Sequence, residues 1–247
     1  MHRFFAPGLD PGDETAVLPR DEAEHLSRVL RLGVGDSVSV FDGRGHEFLA
    51  RIVSVARGAT GEVRVQIVSR VEPPPEPAVA LTLVQAVLKG DKMDDVVRDA
   101  VMMGVAAVQP MVTARAEVTV AGLMRGKVER WRRVAIASVK QSRRAVVPEI
   151  RVPLTFENVL VEPPGSLRLM LVEPGAADTE SVDALRGQRA PGEAALFIGP
   201  EGGWTGQEID AARSAGVRLL TLGRRTLRAD AMAIAGVSVL QFLWGDL

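Results

Sequence analysis

A chain of 247 residues, 47% hydrophobic and 25% charged, has material for two unequal packed units under an ordinary charged surface. It contains no cysteine, which excludes disulfides, thiolate metal sites and cysteine nucleophiles, and its three histidines, at 2, 25 and 46, are too scattered for a metal cluster. No apolar run is long enough to span a bilayer and the charged, proline-broken start is no signal peptide, so the cytoplasm is the expected compartment.

The first seventy residues read as a small β-rich domain. Asp21 and Glu24 mark a helix start, with Leu26, Val29 and Leu30 as the expected buried side and Gly33 as its stop. Strands are expected over 37–42, 46–56 and 62–69, the first two joined by the turn Asp42-Gly43-Arg44-Gly45. Short strands with tight turns suggest a small barrel. The cluster Glu72-Pro73-Pro74-Pro75-Glu76-Pro77 interrupts all periodicity and reads as a semi-rigid spacer.

Beyond it, strands and helices alternate. Strands are expected over 80–87, 105–110, 168–173, 194–198 and 217–222. Helices are expected over 91–103, 125–141, 179–186, 206–215 and 230–243. Thr205 with Glu208 makes a capping box, and Gly216 stops that helix. Trp131 and Trp244 fall at helical core spacing, whereas Trp204 lies inside a glycine loop, where it either packs or lines a pocket. The alternation predicts a mostly parallel sheet covered on both faces.

Two loops carry the functional signal. Phe197-Ile198-Gly199-Pro200-Glu201-Gly202-Gly203-Trp204-Thr205 and Leu222-Gly223-Arg224-Arg225-Thr226-Leu227-Arg228 each follow an apolar run and lead into a helix. Glycines there let main chain approach a ligand, and such loops on neighbouring strands would form a crevice at the carboxyl edge of an α/β sheet. Neither a dinucleotide fingerprint nor a phosphate loop is present.

Charge is unevenly distributed. Residues 125–151 hold Arg125, Lys127, Arg130, Arg132, Arg133, Lys140, Arg143, Arg144 and Arg151 against Glu129 and Glu149, a local +7 in a chain of net −1. One apolar stripe (Val128, Trp131, Ala135, Val139) forces the cations onto the other faces. The segment is either a solvated helix face or a phosphate-binding surface. Arg3, His25, Arg28 and Arg31 could give the small domain a basic face of its own.

The pattern Gly199-Pro200-Glu201-Gly202-Gly203, Glu208-Ile209, Leu222-Gly223 and Leu227-Arg228 resembles the SPOUT class of methyltransferases. More narrowly, it is similar to the RsmE family of 16S ribosomal RNA uracil-N3 methyltransferases. His2-Arg3-Phe4-Phe5, His25-Leu26, Arg28-Val29-Leu30-Arg31 and Asp42-Gly43 are similar to that family's PUA-like domain. Lys89-Gly90-Asp91, Gly104-Val105, Gln141-Ser142-Arg143 and Val147-Pro148 match its middle. The chain departs from the family at Lys140, where Glu is usual, at Ala229-Asp230-Ala231 in place of Thr-Glu-Thr, and at Val101-Met102-Met103-Gly104 in place of Thr-Glu-Leu-Gly.

The resemblance implies an α/β chain with a small N-terminal PUA-like β-barrel over 1–72, a linker over 73–78, and a C-terminal SPOUT domain over 79–247 with a parallel sheet and a trefoil knot. It implies S-adenosylmethionine as methyl donor, a homodimer, and 16S ribosomal RNA or the small ribosomal subunit as partner. Cofactor contacts are expected from Leu171, Ile198, Gly199, Glu201, Gly202, Gly203, Leu222, Gly223, Leu227 and Met232. RNA contacts are expected from Arg3, His25, Arg28, Arg31, Arg143 and Arg144, and no metal is expected. Methylation requires loss of the uracil N3 imide proton and stabilisation of the anion, for which Arg228 is the candidate cation and Asp230 the candidate base. Alternatively, Arg228 and Asp230 pair at the start of the last helix. Rival functions are a non-catalytic RNA-binding or ribosome-assembly protein and, less well supported, a nucleotide-dependent oxidoreductase.

Overall fold

The computed structural model describes residues 1–56, 62–116, 118–124, 126–161 and 167–247; Arg125, counted in the basic segment, lies outside them. The chain forms two compact units. The first comprises Met1–Glu76 with Val139–Val147, the second Pro77–Ser138 with Pro148–Leu247. The division at Glu76 falls inside the proline cluster. The inclusion of Val139–Val147 in the first unit has no counterpart in the sequence pattern.

The first unit contains β1 (Arg3–Phe5), β2 (Thr15–Leu18), α1 (Arg20–Glu24), β3 (Ser37–Phe41), β4 (Glu47–Val55) and β5 (Val63–Val71). They form a five-stranded sheet in the order β1-β3-β4-β5-β2, antiparallel except for β1 against β3. Two register shifts between β4 and β5 accentuate the twist of that pair. Alternating side chains (Val38, Val40, Ala50, Ile52, Val63, Val65) close over a core with Phe4, Leu9 and Leu26.

Val29 corrects the expected helix face. After α1 the chain widens into a π-turn, His25–Val29, in which the amide of Leu30 bonds back to the carbonyl of His25. The extra residue per turn rotates Val29 out to 66% exposure while Leu26 stays fully buried.

Val139–Val147 is bound to the first unit through buried polar contacts. Arg3 donates to both carboxylate oxygens of Glu47 (2.9 and 2.8 Å) and to the carbonyls of Val139, Lys140 and Arg144. Lys140, where the resembled family usually has Glu, bonds both oxygens of the buried Glu22 at 2.9 and 2.8 Å. Its ammonium also lies 5.6 Å from the Phe4 ring centre. The departure at position 140 thus has a built-in counter-charge.

The second unit contains β6 (Ala80–Ala86), α2 (Lys92–Met102), β7 (Ala107–Val112), α3 (Val120–Met124), α4 (Lys127–Ser142, its last turn in the first unit), β8 (Glu149–Ile150), β9 (Leu154–Thr155), α5 (Phe156–Val161), β10 (Leu167–Leu171), β11 (Glu180–Ser181), β12 (Glu193–Ile198), α6 (Gly206–Ser214), β13 (Arg218–Thr221) and α7 (Ala229–Trp244). Its strands are all parallel, in the order β11-β13-β10-β12-β6-β7-β8, with β9 also on β7. Along β12, Ala195 and Phe197 join the core that contains Phe156 of α5 and Ala212 of α6. Leu196 and Ile198 lie instead against Gly236 of α7. This alternation is why β12 is apolar throughout.

The helix expected over 179–186 is instead the short strand β11 followed by a 3₁₀ turn, Val182–Leu185. Glu180 and Ser181 pair with Leu220 and Thr221, and the Ser181 hydroxyl accepts the amide of Asp183. Strand pairing outside the segment overrides its local helical pattern. Trp131 is buried as expected, whereas Trp244 is only half-buried.

Asp42, in the turn between β3 and β4, yields a pH-dependent prediction. Its side chain is 1% exposed. It accepts the amides of Arg44 and His46 at 2.7 and 3.0 Å, and the His46 ring Nδ1 stands 2.8 Å away. Burial pushes the carboxyl up, but the hydrogen bonds from His46 and from the two amides outweigh it and hold it below the usual Asp value. A lowered folded-state value stabilises the fold above the unfolded-state pKa, and that stabilisation is lost as pH falls through the folded one. Asp42→Asn is therefore expected to cost about 1.5–3 kcal/mol at pH 7, shrinking steadily on acidification below pH ~4. Urea denaturation across pH measures it, and a pH-independent difference would contradict this account.

Candidate active site

The carboxyl edge of the second unit's sheet carries the loops that the sequence singles out. The two glycine loops follow β12 and β13, which are not neighbours as expected: β10 lies between them. A third segment, Leu171 to Glu173 at the end of β10, therefore belongs to the same place. The three segments and the start of α7 line one open cleft of about 590 Å³, part of it open to solvent.

Of the cofactor and catalytic residues expected from the sequence, Leu171, Ile198, Gly199, Glu201, Gly203, Leu227, Arg228 and Met232 line this cleft. Gly202, Leu222, Gly223 and Asp230 do not. Val172, Glu173, Pro200, Trp204, Thr226 and Ala229 complete the lining. Most of these could have been found from their place beside Leu171, Gly199 or Leu227. Glu173 has no such motif signal, and only the position of β10 between the glycine loops brings its carboxylate to the cleft.

The first glycine loop is rigidly held. The Trp204 indole N–H donates to the carbonyl of Leu171 at 2.9 Å, and its ring packs 5.6 Å from Phe156. A β-carbon on Gly199 would lie 3.0 Å from that indole. Gly203 has φ +69°, donates to the carbonyl of Pro200 at 2.9 Å, and would place a β-carbon 3.2 Å from Glu173 Oε1. Thr205 and Glu208 form the expected reciprocal capping box at the start of α6.

Glu201 is exposed, yet its carboxylate is fixed. Lys92 donates to it at 2.8 Å and the amide of Lys89 at 3.2 Å. Burial pushes its carboxyl up, but the bonds from Lys92 and the amides of Glu201 and Lys89 more than offset this, so it stays ionised below the ordinary Glu range. Arg228 is the N-cap residue of α7, with its side chain 72% exposed and its Nε 3.4 Å from Asp230 Oδ1. Arg228 thus pairs with an acidic residue in the first turn of α7 and also lines the cleft.

The expected RNA residues divide sharply. Arg3 and Arg144 lie inside the first unit: Arg3 holds Glu47 and three carbonyls, and Arg144, 6% exposed, pairs with Glu76. Their donors serve the fold. His25, Arg28, Arg31 and Arg143 are exposed, and Arg31 and Arg143 adopt left-handed backbone with φ of 56° and 65°. In the basic segment, Arg130 pairs with Asp91 and Asp94, Arg132 with Glu129, and Arg151 with Glu149. With Lys140 and Arg144 also paired, three cations of the segment (Arg130, Lys140 and Arg144) are held by acidic residues distant in sequence, while Glu129 and Glu149 pair within it. Among the described residues, no group of three His, Asp or Glu side chains is placed to hold a metal ion, and no helix is long and apolar enough to cross a membrane.

Residues 74–241 match a family model described as an RNA methyltransferase domain, and residues 18–59 one described as an RNA methyltransferase PUA domain. The chain is similar to the ribosomal RNA small subunit methyltransferase E of Synechocystis, with 32% identity over 92% of this chain and 74% of that protein. It is 30% identical to the protein of the same name from Mycobacterium bovis, over 98% of this chain and 92% of the other. A solved structure of a Neisseria gonorrhoeae ribosomal RNA small subunit methyltransferase E bound to S-adenosyl methionine superposes with a TM-score of 0.87 at 29% identity, covering 100% of this chain and 99% of that one. A Legionella pneumophila methyltransferase in complex with the cofactor SAM gives 0.86 at 31%, covering 97% and 96%. Because these matches take in both units and nearly every residue, the chain belongs to the ribosomal RNA small subunit methyltransferase E family.

Proposed function

We propose that this protein is a cytoplasmic enzyme that transfers a methyl group from S-adenosylmethionine to N3 of a uridine in 16S ribosomal RNA of the small subunit. The observation that carries this reading is the cleft: one concavity that collects the loops following three parallel strands together with the start of α7. Its lining fits the methyl donor. Leu171, Ile198, Leu227 and Met232 supply apolar walls for a flat base, and the glycine loop exposes main chain for its polar edges. Glu173 offers a carboxylate to a cationic ligand. The trefoil knot that the resemblance implies would wrap these loops around the donor.

When bound, the donor supplies an electrophilic methyl group. The residues of this chain handle the uracil. Arg228, permanently charged and standing at the cleft wall, stabilises the anion that forms when N3 loses its proton. Asp230, 3.4 Å from Arg228, orients the guanidinium and is the candidate acceptor of that proton. Glu201, held ionised by Lys92, fixes the loop opposite and has no free proton to exchange near neutral pH. His25, Arg28, Arg31 and Arg143 of the first unit grip RNA phosphates, their exposure leaving their donors to the ligand.

The homodimer rests on α7. Between Ala229 and Trp244 its only charged residue is Asp230, and Phe242 is 61% exposed. An apolar helix with an uncovered Phe is suited to pairing with a second copy.

Two measurements follow. Arg228→Ala is expected to slow single-turnover methylation of small ribosomal subunits by about 100- to 1,000-fold, as for loss of a charge-stabilising donor, with Arg228→Lys in between and donor affinity by calorimetry little changed. A wild-type rate in Arg228→Ala would remove Arg228 from the chemistry. In sedimentation, the wild-type chain is expected at twice its 26.4 kDa mass and Phe242→Lys at the monomer mass. A monomeric wild-type protein, or an unaffected dimer in the variant, would contradict the α7 interface.

A further inference from the structure

The loop that follows β7 carries a residue with no motif to announce it. Thr113, Ala114 and Arg115 leave the sheet two strands away from β12, with β6 between, a span of about 9–10 Å. Yet this short segment is tied to the first glycine loop at three points. Glu208, 5% exposed, accepts the Thr205 amide and hydroxyl on one oxygen (2.8 and 2.9 Å) and the Ala114 amide on the other (2.9 Å). That bond fixes the main chain immediately before Arg115. The guanidinium of Arg115 then donates from a single nitrogen to the carbonyls of Gly202, at 2.6 Å, and Trp204, at 3.2 Å. Its aliphatic stem lies flat on the loop: a β-carbon on Gly202 would sit 3.3 Å from both Cβ and Cδ of Arg115.

We infer that Arg115 is a positioning residue that latches the glycine loop in the form that receives the methyl donor, an inference that rests on the cofactor reading of the cleft. Gly202 itself does not line the cleft, but its neighbours Gly199, Pro200, Glu201, Gly203 and Trp204 do. The loop is anchored on its ring side by the Trp204 indole and on its main-chain side by Arg115. Three glycines make the intervening backbone intrinsically free, so without the second anchor its ordering would have to accompany each binding event. The bonds from Arg115 are charge-assisted, hence stronger than ordinary amide–carbonyl ones. A glycine at 202 follows from the same contact, because a side chain there would displace the Arg115 stem. Arg115 is exposed and contributes nothing to the hydrophobic core, so its removal acts on the loop and not on the fold.

The test compares the full chain with Arg115→Ala and Arg115→Lys. Arg115→Ala is expected to weaken S-adenosylmethionine binding by about 10- to 100-fold in calorimetry, the usual cost of lost charged hydrogen bonds. The turnover number at saturating donor should stay within about twofold, and the melting temperature within a few degrees. Arg115→Lys should fall between the two. Millimolar guanidinium should restore part of the affinity to Arg115→Ala and leave the wild type unchanged. Hydrogen exchange of the amides of residues 201–205, followed without ligand, should be faster in Arg115→Ala. Wild-type donor affinity with unchanged exchange in Arg115→Ala would overturn the inference. So would a loss of turnover at intact affinity, which would place Arg115 on the RNA instead. If the wild-type chain bound no donor, the cofactor reading would fail, while the exchange rates would still decide whether Arg115 latches the loop.

Discussion

The hydrogen bond from the Trp204 indole to the carbonyl of Leu171 is the contact on which the cleft depends. It joins the loop after β12 to the end of β10, across the edge where two parallel strands stop and their last carbonyls would otherwise face solvent or ligand. An indole has one donor and a large apolar body. Here the donor closes the strand end while the body packs on Phe156, leaving no room over Gly199 for a side chain. A glycine-rich loop that would otherwise be mobile is thereby turned into a cleft wall.

Glu208 extends this arrangement. A carboxylate this deeply buried is costly unless its lone pairs are used, and here three donors from two loops satisfy it. It caps α6 through Thr205 and, through Ala114, brings the loop after β7 to the same place. Helix capping, usually a local matter of a few tenths to two kcal/mol, has here become a tertiary contact. Two charges that line the cleft are also paired: Glu201 with Lys92 and Arg228 with Asp230.

Much of this was legible in the sequence, for identifiable reasons. The glycine loops, the capping box and the alternation of strands and helices depend on neighbours within a few residues, and pattern reading reaches that far. What it missed is long-range. Arg115 meets Gly202 across 87 positions, and nothing in a lone loop arginine announces the partner. Arg3 and Arg144 look like RNA ligands until Glu47 and Glu76 are seen beside them. The pairing that makes Glu180–Ser181 a strand is likewise set by surroundings, not by propensity. Lys140 makes the same point from the other side, since a departure from the family's usual Glu is matched by Glu22 at 118 positions' distance.

The central claim, that the cleft between the strand ends serves methyl transfer to uracil N3, is tested most directly by the product itself. Small ribosomal subunits lacking the modification would be incubated with the protein and isotopically labelled S-adenosylmethionine, and the 16S RNA digested and analysed by mass spectrometry. The account predicts one label per subunit, on a single uridine, with fragmentation and chromatography matching 3-methyluridine. Label on ribose, on another base, or none above the level of the Arg228→Ala control would contradict it.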